Sequence, residues 1–321
     1  MHPHAKEDRM NEDTVALLLA AGLEPGYVGG IVATALAEDT PGWLDVTTVA
    51  TVPDGQRGTA ELRTRVDGTV AGLPVAAAAF DIASGTTLEV DLCARDGDRV
   101  CAGDVVARVT GRTGALLTAE RTALNLLCHL SGIATATSAW VQALAGSGTA
   151  VRDTRKTTPG LRALEKYAVR CGGGLNHRMS LSDMALVKDN HVAAAGGVAA
   201  AFAAVRARFP GARVEVECDT LEQVAAAVAA GADAVMLDNM SDAEMAAAVR
   251  LARRLRPAVT LEASGGITLD RAAAVAATGV DYIAVGALTH SAPILDIGLD
   301  LITHQVPVPV PAASPVLEAG R

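Results

Sequence analysis

The spacing of apolar and polar positions changes three times along the chain. Residues 12–22 (EDTVALLLAAG) and 27–38 (YVGGIVATALAE) carry apolar residues at helical spacing and predict two helices, with Gly22 stopping the first. From 57 to 110 the period becomes two. GTAELRTRVDG and TTLEVDLCARDGDRVCAGDVVARVTG alternate apolar and polar residues, broken by Asp-Gly and Ala-Gly turns, and predict antiparallel strands. Residues 118–145 return to helical spacing through Leu124, Leu127 and Leu130. From about 149 short aliphatic runs alternate with Ala-rich helical ones. The runs are TAVRDT (149–154), ALVKD (185–189), RVEVEC (213–218), AVMLD (234–238), VTLEAS (259–264) and YIAVG (282–286). Thr220 with Gln223, and Ser241 with Glu244, have capping-box spacing, and Gly231 and Gly279 sit where helices end.

Strands recurring roughly every 20–25 residues predict a parallel β/α barrel. A doubly wound open sheet would place a Gly-rich turn after its first strand, and TAVRDTRKTTPG is not one. The expected layout is an α/β protein with an N-terminal α+β domain over 1–124 and a barrel over 125–291. A short helix over 292–304 (APILDIGLDLIT) follows, packed near the first domain, and then a Pro-rich, disordered tail over 305–321.

Composition narrows the function. Of 321 residues, 50% are hydrophobic and only 2% aromatic, so the core is aliphatic and the chain is not a disordered one. Scarce aromatics argue against base-stacking platforms, and a net charge of −9 against any global field for nucleic acid or an anionic membrane. The five cysteines form no CxxC pair and fit reduced thiols. The longest apolar run, from Val70 to Phe80, ends at Asp81, short of a bilayer span, and the N-terminus has no signal-peptide core. The expectation is a cytoplasmic protein with no membrane or nucleic-acid partner.

Basic residues are used unequally. Among 27 there are only four lysines, and three of them, Lys156, Lys166 and Lys188, fall within 33 residues. A retained Lys in an Arg-rich chain marks a need for a compact ammonium. That reading applies to Lys156 and Lys188; Lys166, on an intervening helix, reads as a surface lysine whose change to Arg is neutral.

Catalytic residues of such barrels lie at the C-terminal strand ends. Here the ends carry Thr154, Arg155 and Lys156, then Lys188, then Glu217 (with Glu215 two residues earlier), then Asp238, then Ser264, Gly265 and Gly266, and finally Val285, Gly286 and Ala287. The glycine turns suit a phosphate cradle. Glu217 and Asp238 suit Mg²⁺, which is usually held by one or two carboxylates plus substrate phosphates. Arg155, Lys156, His177, Arg178 and Lys188 suit a substrate with several negative charges. Each feature alone has a plainer reading: a loop junction, an ion-paired carboxylate, a loop histidine, a solvated cationic face. Their ordered placement on successive strand ends favours one functional mouth. Cys171, with no base nearby in sequence, reads as an inert small residue.

The segment TRKTTPGLRALEKYAVRCGGGLNHRMSLSDMALVKDNH (154–191) resembles the signature of the quinolinate phosphoribosyltransferase family. So do EVECDTLEQ (215–223), VMLDN (235–239), LEASGGI (261–267), YIAVGALTHS (282–291) and ERTALNLLCHLSGIAT (120–135). The resemblance spans about residues 12–303. It implies an N-terminal sandwich domain plus an incomplete β/α barrel, the type II phosphoribosyltransferase fold. It implies transfer from phosphoribosyl pyrophosphate to quinolinate with loss of CO₂, giving nicotinate mononucleotide and pyrophosphate in de novo NAD synthesis, with Mg²⁺. By motif, Thr154, Arg155, Lys156, His177, Arg178 and Lys188 would hold quinolinate. Arg121 would reach the same site from a second subunit of a homodimer or higher oligomer. Lys156, Lys188, Glu217 and Asp238 would be catalytic, the last two near Mg²⁺. Ser264, Gly265, Gly266, Val285, Gly286 and Ala287 would bind the 5-phosphate.

Three rivals remain in view. A molybdenum-linked homologue of the same fold taking a monoacid should lack part of the basic set. A biotinyl- or lipoyl-type carrier, suggested by DGDRVCAGDVVARVTG (96–111), needs a hairpin Lys, and none lies between Lys6 and Lys156. A non-catalytic phosphate-binding barrel has no use for the carboxylates and lysines.

Overall fold

The computed structural model describes residues 10–42, 44–85 and 88–303. The expected tail over 305–321 lies outside the described residues. Near the N-terminus, helices Glu12–Ala20 and Pro25–Asp39 form as the periodicity predicts, capped by Asn11 and Glu24 side chains. Strands β1 (Arg57–Thr64), β2 (Gly68–Thr69), β3 (Glu89–Leu92), β4 (Arg99–Val100) and β5 (Val105–Arg112) follow. In β1 Gly58, Ala60, Leu62 and Thr64 are buried while the residues between are not, the alternation expected of a half-buried strand.

Between β2 and β3 the structure departs from the expected run of strands. Leu73–Ser84 is an α-helix, and ten of its twelve residues, Leu73 to Ile82, are buried. A helix that is apolar all round has no 3.6-residue stripe, so periodicity cannot separate it from a strand. Its signals are Pro74 in the first turn and Gly85 in the left-handed C-cap.

The helix Thr113–Ala143 packs on Leu73–Ser84, on the β1/β5 sheet, on β6 (Ala150–Arg152) and on helix Arg162–Cys171, so it belongs to both halves of the molecule. The expected boundary at 124/125 falls inside this continuous helix. Asp96 ties the halves together at one point. Its Oδ2 accepts from Gly72 N–H (2.8 Å) and from the Tyr167 hydroxyl (2.6 Å), and Oδ1 accepts from Leu73 N–H (3.0 Å).

After β6 come β7 (Ala185–Val187), β8 (Val214–Cys218), β9 (Ala234–Asp238), β10 (Thr260–Ser264) and β11 (Tyr282–Ala284). All pair in parallel, in the order β6-β11-β10-β9-β8-β7. No ladder joins β6 to β7 among the described residues, so the barrel is open there. Helices Val198–Arg208, Leu221–Ala230, Asp242–Leu255 and Ala272–Ala276 connect the strands. Both capping boxes form, at Thr220/Gln223 and Ser241/Glu244, and Gly231 and Gly279 take positive φ.

The helix expected over 292–304 is not there. Ile297–Thr303 is instead a strand, β12, antiparallel to β1 in the register Thr64↔Ile297 to Gly58↔Thr303. It closes the N-terminal sheet in the order β12-β1-β5-β3. Ile297, Leu299 and Leu301 alternate at period two, and Asp300 reaches Arg63 on β1 (3.4 Å) and Arg65 just beyond it (2.7 Å). Tertiary pairing with β1 overrides the helical spacing of the preceding apolar residues. The protein is thus an α/β molecule with a small antiparallel-sheet unit and an incomplete parallel barrel. No single helix among the described residues is long and apolar enough to cross a membrane.

Candidate active site

Three barrel strands stop short of the aliphatic runs that announce them, while β8, β9 and β10 end where their runs do. β6 ends at Arg152, β7 at Val187 and β11 at Ala284. Thr154, Arg155, Lys156 and Lys188 therefore stand on the loops just beyond the strand ends. Parallel register then sets their neighbours. Arg152 pairs with Ala284, so Arg155 and Lys156 leave β6 beside Val285, Gly286 and Ala287. Asp238 pairs with Ser264.

Two guanidinium groups are held close together. Burial and the positive charge of Arg155 both push the Arg178 pKa down. Neither Arg155 nor Arg178 forms an ion pair with a described residue; Arg178 Nη1 donates only to Met184 O (3.0 Å), and Arg155 Nε is buried without a partner. Cations near each other with no carboxylate in direct contact, although the charges of Glu215 and Asp183 reach Arg178, favour an incoming anion. Lys156 is exposed, and its N–H donates to Thr154 Oγ1 (2.9 Å).

Lys188 caps helix Asp189–Ala195, and its ammonium contacts Glu217 Oε2. The Lys188 side chain is 43% exposed and that of Glu217 11%, so the pair sits at the rim of the mouth and remains accessible. On the next strand Asp238 Oδ2 accepts from Asn239 Nδ2 (2.6 Å), and Oδ1 has no partner among the described residues. Asn239 takes φ +54°, an uncommon conformation for a non-glycine residue. Gly265 (φ +102°) lies against it: a Cβ there would stand 2.3 Å from Asn239 Oδ1. On the neighbouring strand end, a Cβ on Gly286 would stand 3.1 Å from Lys156 Cδ and 3.2 Å from His290 Nε2. The first turn requires glycine, by its positive φ and by the Asn239 backbone and side chain against it; at Gly286 a Cβ would crowd two side chains that can shift. Asn239 and His290 were not singled out from the sequence, although each lies inside a motif quoted there.

Below the mouth lies a buried polar layer. His177 Nε2 is 2.9 Å from Glu215 Oε2 and 3.5 Å from Glu262 Oε1; Arg152 Nη1 is 2.9 Å from Glu262 Oε2 and stacks 3.8 Å over the Tyr282 ring. Burial, then the Glu215 charge, push Glu262 up to about 7. The ligand atoms of His177, Glu215 and Glu262 lie within 4.8 Å of one another, close enough to hold a metal ion. The Arg178 N–H donates to His177 Nδ1 (2.7 Å), so a neutral His177 carries its proton on Nε2, facing the two carboxylates. Only Nδ1 is thus engaged by a hydrogen bond; Nε2 lies near both carboxylates without one, and His177 is only 7% exposed.

Lys166, read from the sequence as a surface lysine, has no exposure at all. Its ammonium contacts Asp153 Oδ1 and donates to the His177 carbonyl (2.9 Å). Helix Arg162–Cys171 turns this residue into the core, which the helical position alone did not reveal. Burial pushes the Asp153 carboxyl up and the Lys166 ammonium down, against their mutual attraction. Arg121 is exposed on Thr113–Ala143 and makes no hydrogen bond or ion pair with a described residue, so the single chain does not bring it to the basic set. Cys171 fits its inert reading, its thiol pushed up to about 11, chiefly by burial.

Fold and site define a class: an incomplete parallel β/α barrel whose mouth sets unpaired cations beside carboxylates and glycine turns, suited to small, multiply anionic molecules. Two family models match the chain. One is described as the quinolinate phosphoribosyl transferase N-terminal domain, over residues 45–131, the other as its C-terminal domain, over 133–300. The chain is 52% identical over 268 residues to the nicotinate-nucleotide pyrophosphorylase (carboxylating) of Mycobacterium leprae, covering 83% of this chain and 94% of that one. It is 40% identical over 306 residues to the human protein of the same name, covering 94% and 99%. The crystal structure of NadC from Streptococcus pyogenes superposes with a TM-score of 0.83 at 40% identity, covering 88% of this chain and 99% of that one. The chain belongs to the quinolinate phosphoribosyltransferase family.

Proposed function

We propose that this protein transfers the phosphoribosyl group of phosphoribosyl pyrophosphate to quinolinate with decarboxylation, giving nicotinate mononucleotide, pyrophosphate and CO₂ in de novo NAD synthesis. The names of its near-full-length relatives support the reaction. The observation in the site that carries it is the pair Arg155 and Arg178, two neighbouring guanidinium groups without carboxylate partners. A dicarboxylate brings two charges to such a pair, where a monoacid brings one.

The reaction needs no enzyme nucleophile. The quinolinate ring nitrogen donates its lone pair to the anomeric carbon as the bond to pyrophosphate breaks, and the pyrophosphate keeps that electron pair. The transition state gathers positive charge on the ribose and negative charge on the leaving group. Lys156 and Lys188 offset the second, while Glu217 and Asp238 stabilise the first. The turns Ser264–Gly265–Gly266 and Val285–Gly286–Ala287 hold the 5-phosphate, the Val285 N–H itself being taken by Arg152 O (2.9 Å). In the second step the bond from ring C2 to its carboxylate breaks. CO₂ leaves, the electron pair stays on C2 beside the cationic ring nitrogen, and C2 takes up a proton. The pyridinium is its own electron sink, so this step needs no further cofactor.

The donor set fits Mg²⁺: Asp238 Oδ1 has no partner among the described residues and Glu217 lies one strand away, both hard carboxylates at the mouth. Glu217 and Asp238 would hold the ion with pyrophosphate oxygens, and its chemistry is charge neutralisation of the leaving group. A homodimer in which Arg121 enters the partner's site completes the reading, in line with the exposed, unpaired state of Arg121. A cytoplasmic setting agrees with five free cysteines.

The test is a steady-state assay of purified protein with phosphoribosyl pyrophosphate, Mg²⁺ and either acid. Quinolinate is turned over, and kcat/KM for nicotinate is lower by about 30-fold or more, the consequence of losing one charged partner at about 2–4 kcal/mol. Equal rates with the two acids would sink the reading.

A further inference from the structure

The segment that carries His177 and Arg178 has little backbone support. It runs along the open edge of β6, where the barrel lacks a β6–β7 ladder. Leu175 N–H donates to Val151 O (3.0 Å) and Leu175 O accepts from Asp153 N–H (3.1 Å). Beyond Leu175 that pairing stops. A buried peptide must satisfy its N–H and C=O somewhere. Both groups of His177 turn to one side-chain pair: its N–H donates to Asp153 Oδ1 (2.8 Å), and its C=O accepts from Lys166 Nζ (2.9 Å). The two side chains are in contact and fully buried. Asn176 extends the arrangement, donating from Nδ2 to Asp153 Oδ2 (2.5 Å) and to Lys166 O (2.8 Å).

We infer that the buried Asp153–Lys166 pair is a positioning device for the quinolinate pocket: it replaces the missing strand ladder and fixes the peptide from which His177 and Arg178 project. Neither side chain touches substrate. Asp153 leaves β6 one residue after Arg152, and Lys166 comes from the helix that follows the Arg155–Lys156 loop. The pair therefore also locks the two guanidinium-bearing segments to each other. The proton economy fits. Every group facing Asp153 is a donor, so an ionised carboxylate satisfies all of them. An ammonium can donate in several directions from a small volume, where a planar guanidinium is larger. This accounts for a lysine at 166 in a chain that otherwise uses Arg.

The inference rests on the proposed reaction, because it names quinolinate as the substrate whose binding the pair tunes. The test is the double variant Asp153→Asn/Lys166→Met, which removes both charges together and leaves no buried unpaired ion. The expected result is a folded protein, by circular dichroism and Tm, whose KM for quinolinate rises at least tenfold while KM for phosphoribosyl pyrophosphate stays within twofold. A general structural role would instead raise both KM values together or lower kcat alone, and either result overturns the inference. An unchanged quinolinate KM overturns it too. If the double variant does not fold, Asn176→Ala carries the same readout from the half-buried edge of the arrangement. A rise of at least threefold in the quinolinate KM alone supports the positioning role, and an unchanged one removes it. Wild-type protein that turns over quinolinate beside an unaffected variant would contradict the positioning role only. Wild-type protein inert with quinolinate would overturn the proposed reaction along with it.

Discussion

Lys188 and Lys166 show how differently two lysines of one stretch are used. Lys188 stands at the mouth, its ammonium against Glu217, next to the strand end that carries Asp238. Between a carboxylate and an incoming pyrophosphate, a compact ammonium fits where a longer planar fork displaces one partner. Lys188→Arg should keep the fold, with little change in Tm, and lose about tenfold or more in kcat/KM, which is about 1.4 kcal/mol of transition-state stabilisation. Steady-state kinetics beside a melting curve check this; full activity would mean that charge alone suffices. Lys166→Arg is not the neutral companion that a surface helix position suggests. Lys166 has no exposure, and a larger head group there overpacks the core while disturbing the His177 peptide.

At the level of elements, the strand interiors carry a polar layer with its own pH dependence. Glu215 on β8, Glu262 on β10, Arg152 on β6 and His177 from the bridging segment meet inside the barrel. The Glu262 carboxyl is pushed from its ordinary 4.5 to about 7, first by burial and then by the Glu215 charge. A raised carboxyl pKa means that the folded state binds the proton more tightly than the unfolded one. Its contribution is therefore most favourable below about 4.5 and is lost as pH rises through 7. Comparing Glu262→Gln with wild type removes the titration of Glu262, with its coupling to Glu215, from the pH profile. The wild-type Tm should fall relative to the variant between pH 5 and pH 8, over about the window set by the two pKa values. Parallel Tm–pH curves would contradict the shifted carboxyl.

The same layer marks the limit of what the sequence reveals. Thr154, Arg155, Lys156, Glu217, Asp238 and the glycine turns were legible because charge or glycine follows an aliphatic run at each strand end. Asp153, Glu215 and Glu262 lie within or immediately beside strands, where a polar residue at period two looks like a solvent-facing one. Only the closing of the sheet turns that face inward. Lys166 was hidden for a related reason: helix Arg162–Cys171 is strongly amphipathic, yet its buried face includes Glu165 and Lys166. The helix Leu73–Ser84 and strand β12 were misread because their identity comes from packing, inside the N-terminal unit for one and along β1 for the other.

Across the whole molecule, the cationic set is divided between places that one chain does not join. Arg155, Lys156, Arg178 and Lys188 share the barrel mouth, while Arg121 is exposed and unpaired on the helix Thr113–Ala143. If Arg121 serves the partner's site, Arg121→Ala and Lys188→Ala subunits complement each other. In a mixed dimer one of the two sites has both residues intact, so random exchange of equal amounts restores about a quarter of wild-type activity. Activity after confirmed subunit exchange reads this out, and none above the parent variants would contradict a shared site. The central claim is the chemistry itself, and one measurement bears on it most directly. Purified protein is given quinolinate labelled in the C2 carboxylate together with phosphoribosyl pyrophosphate and Mg²⁺, and released CO₂ and pyrophosphate are counted together. The account predicts one labelled CO₂ for each pyrophosphate, with nicotinate mononucleotide as the product. Pyrophosphate released without labelled CO₂, or no turnover at all, would contradict it.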